Sequence, residues 1–285
     1  MITSNLADTI PSEEISKYRI IKVLGQGGEG TVYLLEDRLT AIKYVLKTFH
    51  EAHEREWYAG LIDYSEKIVD NELGLSTVSL FYRDETVIGL IYPYIPTIQL
   101  LHWRILHAEE VAKSIVGSIC QKQYYLISKY GIALSDTKLD NLGVDNQGIW
   151  HYLDMGAGIS KLSNRWLQRT GAMGYGFAKL LLSIYDINIS DHLPRSDEYS
   201  YDTSCIYWQT GWFDTIAAEH TWIQEILDIV RNSKATIFYE PEFYQLISNN
   251  LPSRLPLPLL SLTLSETLVF IGRVRRKLKS VQTML

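Results

Sequence analysis

The chain has 285 residues, which can hold one large domain or two small ones around a substantial buried core. Hydrophobic residues account for 46% of the sequence and charged residues for 21%, so disorder is excluded as the overall state. The formal net charge of −6 gives no general attraction to phosphate backbones, and nucleic acid is therefore not an expected partner.

The cysteine content and the N-terminus indicate the compartment. Cys120 and Cys205 are the only cysteines, too few for a disulfide framework or a four-cysteine zinc site, so a reducing compartment fits best. The stretch from Met1 to Lys17 is polar and has no signal-type apolar run. We expect a cytoplasmic protein in which residues 1–17 form an N-terminal extension.

The first part of the chain is dominated by strand patterns, with turn-forming residues between them. Strands are predicted at Tyr18 to Leu24, Thr31 to Leu35, Thr40 to Val45, Val78 to Tyr82 and Thr86 to Tyr92. A stretch rich in Glu, Ala and His, from Leu46 to Leu61, predicts one helix inserted between the third and fourth strands.

The periodicity becomes chiefly helical after Pro96, with helices predicted over 108–130, 176–185 and 215–232. The fold class is therefore α+β, with a five-stranded antiparallel sheet and its inserted helix over 18–95 and a mainly helical part over 96–285. The short connection from Tyr92 to Pro96 would border a crevice between the two parts, and ligands tend to sit in such crevices.

The C-terminus combines an apolar run with a basic cluster. The run from Leu255 to Gly272 is too short and too interrupted for a membrane span, because Pro256 and Pro258 break it and Glu266 lies within it. A terminal amphipathic helix explains it better. The basic cluster Arg273–Lys279 would lie in the later turns of that helix, with membrane-surface contact as a minor alternative.

A glycine-rich loop, Gly25-Gln26-Gly27-Gly28-Glu29-Gly30, lies between the first two predicted strands. Glycines at this spacing let backbone N–H groups approach phosphate oxygens. A dinucleotide-binding loop would pass into a helix, whereas Thr31 to Leu35 continues as strand, so the loop is expected to fold as a flap between two strands. An ordinary glycine-rich hairpin turn is the alternative.

Ala41-Ile42-Lys43 places a lysine inside an apolar strand shortly after the flap. A cation in such a place needs a partner, and the following helix offers Glu56, with Glu54 as the reserve choice. The alternative for Lys43 is a lysine on an edge strand with its ammonium group in solvent.

Four polar residues form the strongest pattern: Asp136, Lys138 and Asn141, then Asp154 after an apolar run. Phosphoryl transfer needs such a set, with one carboxylate to orient a hydroxyl, a lysine to neutralise the migrating phosphate, and oxygen ligands for magnesium. From the glycine-rich loop through Asp154-Met155-Gly156, the order and spacing of these motifs resemble the protein kinase superfamily.

The resemblance implies a bilobal fold, with an N-lobe over 18–95 and a C-lobe over 96–285, and a role for each motif residue. Asp136 would be the catalytic base within the catalytic loop 134–141, and Lys138 the phosphate-stabilising lysine of serine/threonine kinases. Lys43 would hold the ATP phosphates while paired with Glu56. The remaining roles would fall to the phosphate-covering glycines Gly25, Gly27, Gly28 and Gly30, the adenine contacts Val32 and Ala41, the gatekeeper Tyr92, the hinge residues Pro93 and Ile95, and the magnesium ligands Asn141 and Asp154 of the motif 154–156.

The chain also departs from the family pattern. Leu134-Ser135 replaces the usual His-Arg, and no Ala-Pro-Glu motif follows Gly156. The helix starting near Gly176 arrives about twenty residues after Asp154, so the peptide-binding platform is shortened, and the aspartate that usually opens this helix is absent at its expected position near Gly171. Compact bacterial effector kinases show similar shortening. Residues 187–285 carry no motif of the family.

The expected function is magnesium-dependent transfer of the ATP γ-phosphate to a Ser or Thr hydroxyl of a protein. The resemblance leaves three alternatives open: a pseudokinase scaffold that binds nucleotide, a small-molecule kinase, and a kinase-fold nucleotidyl transferase. Lys138 favours protein hydroxyls over small molecules, while the altered Leu134-Ser135 pair and the trimmed platform favour a scaffold. Sequence alone does not fix the direction in which ATP would bind.

Overall fold

A computed structural model describes residues 15–50, 57–69, 72–99, 109–156, 158–163, 171–185, 208 and 211–261. Predictions that lie outside these residues are Glu54 and Glu56 as partners for the lysine, most of the N-terminal extension, the terminal helix beyond residue 261, and the basic cluster Arg273–Lys279. Among the described residues, no helix is both long enough and apolar enough to cross a bilayer.

The predicted α+β fold class and its five-stranded antiparallel sheet are confirmed. The strands are β1 (Tyr18–Gln26), β2 (Gly30–Asp37), β3 (Lys43–Phe49), β4 (Ser79–Arg83) and β5 (Thr86–Pro93), in the order β1-β2-β3-β5-β4. All neighbouring pairs are antiparallel. Hairpin turns between β1 and β2, β2 and β3, and β4 and β5 account for this order, because short turns join antiparallel neighbours.

Alternation along β3 gives the sheet two different faces. Val45, Lys47 and Phe49 point toward the large core that the sheet shares with the helices, whereas Leu46 belongs to a smaller apolar cluster on the opposite face. Lys47 is thereby placed on the buried side of the sheet, facing the helical part of the chain.

The third strand starts three residues later than predicted, and the β2–β3 turn explains why. The Asp37 carboxylate accepts hydrogen bonds from the N–H groups of Leu39 and Thr40, each 2.9 Å long, and Ala41 donates its N–H to the Asp37 carbonyl. Ala41 adopts a left-handed conformation with φ of 58°, so it lies in the turn rather than in the strand.

The helices are α1 (Ala59–Lys67), α2 (Glu109–Tyr130), α3 (Ala172–Ile184), α4 (Gly211–Glu219), α5 (Thr221–Arg231) and α6 (Pro241–Asn250). The prediction of one helix over 46–61 is wrong at its start, because residues 46–49 continue β3. The predicted helix over 215–232 is divided into α4 and α5 at His220, whose backbone is extended at φ −134° and ψ 95°.

One short strand precedes α2 and four more lie between α2 and α3. They are β6 (Ile98–Gln99), β7 (Ile132–Leu134), β8 (Leu142–Val144), β9 (Trp150–Tyr152) and β10 (Ile159–Lys161), and they form the sheets β6-β8-β9 and β10-β7. Single 3-10 turns cover Glu72–Gly74, Leu139–Asn141 and Ala235–Tyr239. Trp150 is fully buried in the core and donates its indole N–H to Ser114 on α2, which anchors β9 beneath the cleft.

Candidate active site

A cavity of about 420 Å³ lies between the five-stranded sheet and the β8–β9 region, within the usual size range of ligand pockets. The sheet contributes Leu24, Val45 and Lys47 to the lining of this cavity. Seven residues proposed from the sequence also line it: Gly25, Val32, Tyr92, Pro93, Ile95, Asn141 and Asp154. The crevice predicted beside the Tyr92 to Pro96 connection is therefore present.

The glycine-rich loop is a hairpin tip, as expected for a flap between two strands. Gly25 pairs with Val32, and the Gly27 N–H donates to the Gly30 carbonyl at 2.9 Å. A Cβ at Gly30 would lie 2.1 Å from the Thr48 carbonyl oxygen, so Gly30 is required for close packing on β3. At Gly25, Gly27 and Gly28, by contrast, a Cβ would meet nothing within 4 Å. Packing within the protein therefore does not explain those three glycines, and the open space beside them would admit a ligand.

The buried lysine of the site is Lys47, and the choice of Lys43 is corrected. Lys43 is exposed at the start of β3, opposite Glu36. Lys47 lies four residues farther along the strand, about 13 Å away at 3.3 Å per residue, and is only 6% exposed. Its Nζ donates to Asp154 Oδ1 at 2.7 Å and also contacts the carboxylate of Glu29 from the glycine hairpin.

Two carboxylates keep Lys47 charged despite its burial. Burial by itself lowers the pKa of Lys47, but the negative charges of Asp154 and Glu29 outweigh this effect, so the net shift of the pKa is upward. The ion pairs also join two segments far apart in sequence, the glycine hairpin and the loop after β9. Glu54 and Glu56 lie outside the described residues.

Because the buried lysine is Lys47 and not Lys43, the apolar residues near the lysine that line the cavity also differ from those expected. Ala41 lies in the exposed β2–β3 turn and does not line the cavity, whereas Val45, two residues before Lys47, does line it. Tyr92 is buried at the back of the cavity and donates its hydroxyl to the Leu153 carbonyl at 3.1 Å. Tyr94 donates its N–H to the Lys43 carbonyl at 3.0 Å, and this hydrogen bond fixes the chain after Pro93.

The loop that carries Asp136 is fixed by the elements on either side. The Gln123 side chain on α2 donates to the Leu134 carbonyl and accepts from the Leu134 N–H at 3.0 Å, so it clamps the end of β7. Ser135 donates both its N–H and its hydroxyl to the Gly158 carbonyl, at 2.8 and 3.1 Å. Ser135, which directly precedes Asp136 and stands where the family pattern would have arginine, is thus held by its own polar contacts.

The Asp136 carboxylate is held on both oxygens. Lys179 of α3 donates to Oδ1 at 2.8 Å, while Lys138 lies 2.9 Å from Oδ2. Asn141 donates its amide N–H groups to Oδ2 at 3.0 Å and to the Asp136 carbonyl at 2.7 Å. Three of the four motif residues expected from the sequence are therefore in one hydrogen-bonded cluster, and Lys179 is an addition.

These contacts fix the charge states of the cluster. Burial raises the pKa of Asp136, but the charges of Lys179 and Lys138 outweigh it and the net shift is downward. Burial lowers the pKa of Lys138, but the charge of Asp136 prevails and the net shift is upward. The carboxylate is thus available as an acceptor for a hydroxyl proton or as an orienting group.

Asn141 and Asp154 provide the oxygen donors that magnesium prefers. The Leu153 N–H donates to the Asn141 carbonyl at 2.8 Å, so the two residues lie on neighbouring, directly bonded segments. The amide nitrogen of Asn141 faces Asp136, which leaves its oxygen as the atom able to coordinate a cation. No cluster of three or more His, Cys, Asp or Glu suited to a metal occurs in the described ranges. Magnesium fits two protein ligands nonetheless, because it commonly completes its shell with water and substrate phosphates.

Sequence reasoning missed several residues of this site. Val45-Leu46-Lys47 repeats the pattern of Ala41-Ile42-Lys43 four residues later, and the turn signal at Asp37 could have indicated the later register. Glu29 lies among glycines, and nothing in that local pattern indicates that its carboxylate contacts Lys47. Gln123 and Lys179 lie in helical patterns, and no local signal distinguishes them from ordinary helix residues.

The fold and the site define an α+β protein with a cavity that brings together a buried lysine, two acidic side chains and an amide. Neither a scan against protein-family models nor a search of curated proteins finds a match for this chain.

Proposed function

We propose that this chain is a magnesium-dependent phosphotransferase with a bilobal, protein-kinase-like fold, which moves the γ-phosphate of ATP to a Ser or Thr hydroxyl of a protein. The observation that carries the proposal is that Lys47, Asn141 and Asp154 come from separate segments and line one cavity, and that Asn141 is also hydrogen-bonded to the Asp136 carboxylate. A carboxylate-paired lysine and two oxygen ligands are what phosphoryl transfer uses to hold a polyphosphate.

Each residue has a distinct part in the proposed reaction. Val32 and Val45 would contact the base of the nucleotide, the Pro93 carbonyl and the Ile95 N–H would bond to its edge, and Lys47 would hold the inner phosphates. Asn141 and Asp154 would hold magnesium, which neutralises phosphate charge when it is bound.

Asp136 and Lys138 would act on the acceptor side. The Asp136 carboxylate would orient the acceptor hydroxyl and accept its proton, while Lys138 stabilises charge on the phosphate in transit. Lys138 is about one-third exposed and lies beside Asp136, so it can reach a ligand without being released from the core. Lysine at this position favours protein Ser or Thr hydroxyls as acceptors.

Isotope transfer tests the proposal. The purified protein is incubated with magnesium, generic protein acceptors and ATP labelled at either the γ- or the α-phosphate, and the incorporation of label into protein is measured. We expect label from the γ-position and none from the α-position. Transfer of the α-label alone would indicate a nucleotidyl transferase, and γ-label found only on small molecules would indicate a small-molecule kinase. Binding of nucleotide without any transfer would leave a scaffold and overturn the proposal.

The Glu29–Lys47 contact predicts an effect on nucleotide affinity. The Glu29 carboxylate contacts the ammonium group of Lys47, which a phosphate of ATP would also contact, so the two compete. Glu29→Gln is therefore expected to tighten ATP binding about fivefold, or by roughly 1 kcal/mol. Calorimetric titration with ATP and with adenosine measures it. Adenosine has no phosphate, and its affinity should not change.

A matched control for Glu29→Gln is Glu36→Gln on the same strand pair, where the carboxylate binds the exposed Arg19. That variant should bind ATP like the wild type. Weaker ATP binding by Glu29→Gln would contradict the expectation, because it would mean that Glu29 positions Lys47 for the nucleotide.

A further inference from the structure

Helix α3 makes direct contact with the residues on both sides of Asp136. A Cβ at Gly176 would lie 2.2 Å from the Ser135 carbonyl oxygen, so glycine is required there for the helix backbone to touch the loop. On the other side, Thr137 donates its hydroxyl to the Gly176 carbonyl at 2.9 Å. The loop is therefore seated on the first turns of α3 immediately before and immediately after the proposed base.

Lys179 follows Gly176 by three residues and so projects from the same face of α3. Its Nζ donates to Asp136 Oδ1 at 2.8 Å, and the side chain is only 17% exposed. The ammonium group also lies 5.0 Å from the centre of the Tyr175 ring, which restricts it further. This partly buried lysine is restricted by a contact within its own helix.

The contacts of the Asp136 carboxylate are divided between its two oxygens. Lys138 and Asn141 both contact Oδ2, and within the described residues Lys179 is the one group shown bonding to Oδ1. The terminal torsion of an aspartate is soft, so contacts at a single oxygen leave the carboxylate plane free to turn. Lys179 supplies the second fixed point.

We propose that Lys179 is a positioning residue that fixes the plane of the Asp136 carboxylate against the acceptor hydroxyl, and so acts on the transfer step rather than on nucleotide binding. The inference rests on the proposed phosphotransferase function. Lys179 thereby connects the base to α3 at a helix whose usual opening aspartate is absent from the sequence near Gly171.

The test compares Lys179→Met with Lys179→Arg under steady-state γ-phosphate transfer. Methionine keeps much of the chain length but removes the donor, so kcat should fall roughly 10-fold to 100-fold, the scale of loss caused by a small misplacement of a reacting group. The KM for ATP and the calorimetric Kd for ATP should not change. Arginine can still donate to Oδ1, and it should recover most of the lost kcat.

The structural control is Ser183→Ala, which removes a side-chain bond to the Lys179 carbonyl within α3 without touching the carboxylate or its loop. Its kcat should stay near the wild-type value if orientation of the carboxylate is what matters. Equal kcat for Lys179→Met and the wild type would overturn the inference. A parallel loss of melting temperature and ATP affinity in Lys179→Met would also overturn it, since it would reveal a purely structural role. Absence of γ-transfer by the wild-type protein would instead overturn the proposed function, and the inference with it.

Discussion

Lys47→Met is expected to abolish γ-phosphate transfer, with a loss of at least roughly 100-fold in kcat/KM, while Lys43→Met is expected to leave it near the wild-type value. The two lysines lie on the same strand and would be changed to the same residue. Only Lys47 lines the cavity and is paired with Asp154. The physical reason is the loss of a buried cation on the sheet side of the cavity that can meet a phosphate.

The measurement is a transfer assay on both variants beside a melting curve. Glu29 and Asp154 are each partly exposed, at 26% and 31% for their side chains, so water can solvate them when Lys47 is gone and the fold should survive. If Lys43→Met were the damaging variant, the assignment of the site lysine made from the structure would be wrong. Equal activity of both variants would contradict a role for either.

Asp154→Asn and Asp136→Asn are expected to lose activity in different ways. Asp154→Asn removes the charge of the proposed magnesium ligand, so transfer should fall about 1000-fold, equivalent to roughly 4 kcal/mol, and the magnesium dependence of ATP binding should weaken. Asp136→Asn should lose transfer to a similar extent while magnesium-dependent ATP binding stays close to normal. Transfer rates and calorimetric titrations with and without magnesium distinguish the two.

The matched control for both is Asp140→Asn. Asp140 is an exposed carboxylate in the same loop and also borders the cavity, but it has no assigned role. We expect at most a severalfold change in this variant. A loss as large as that of Asp154→Asn would show that the ligand set is wrongly assigned, and full activity of Asp136→Asn would eliminate Asp136 as the base.

The sheet was predictable because its signals are local. Alternating apolar residues mark β1, β2, β4 and β5, and Asp, Glu and Gly residues mark the turns between them. The register of β3 was not predictable from alternation alone. Ala41 and Ile42 are apolar but lie in a turn. The Asp37 side chain stabilises this turn through hydrogen bonds to the backbone, and this prevents a strand from starting at Thr40.

The candidate site was predictable where residues are neighbours in sequence and obscure where they meet through tertiary structure. Asp136, Lys138 and Asn141 lie within six positions, and their order in the sequence is enough to predict that they belong to one site. Lys179 reaches Asp136 from 43 positions away, through a helix approach that depends on Gly176. A glycine and a lysine three residues apart in an apolar helix give no such indication, because the contact is set by packing between elements.

The ion pairs of Lys47 set two carboxylates against one ammonium group on the sheet side of the cavity. An uncomplexed polyphosphate brings several negative charges and meets like charge there, whereas a polyphosphate bound to a divalent cation arrives largely neutralised. Under the proposed function, the metal and the nucleotide are therefore expected to enter as one complex of low net charge.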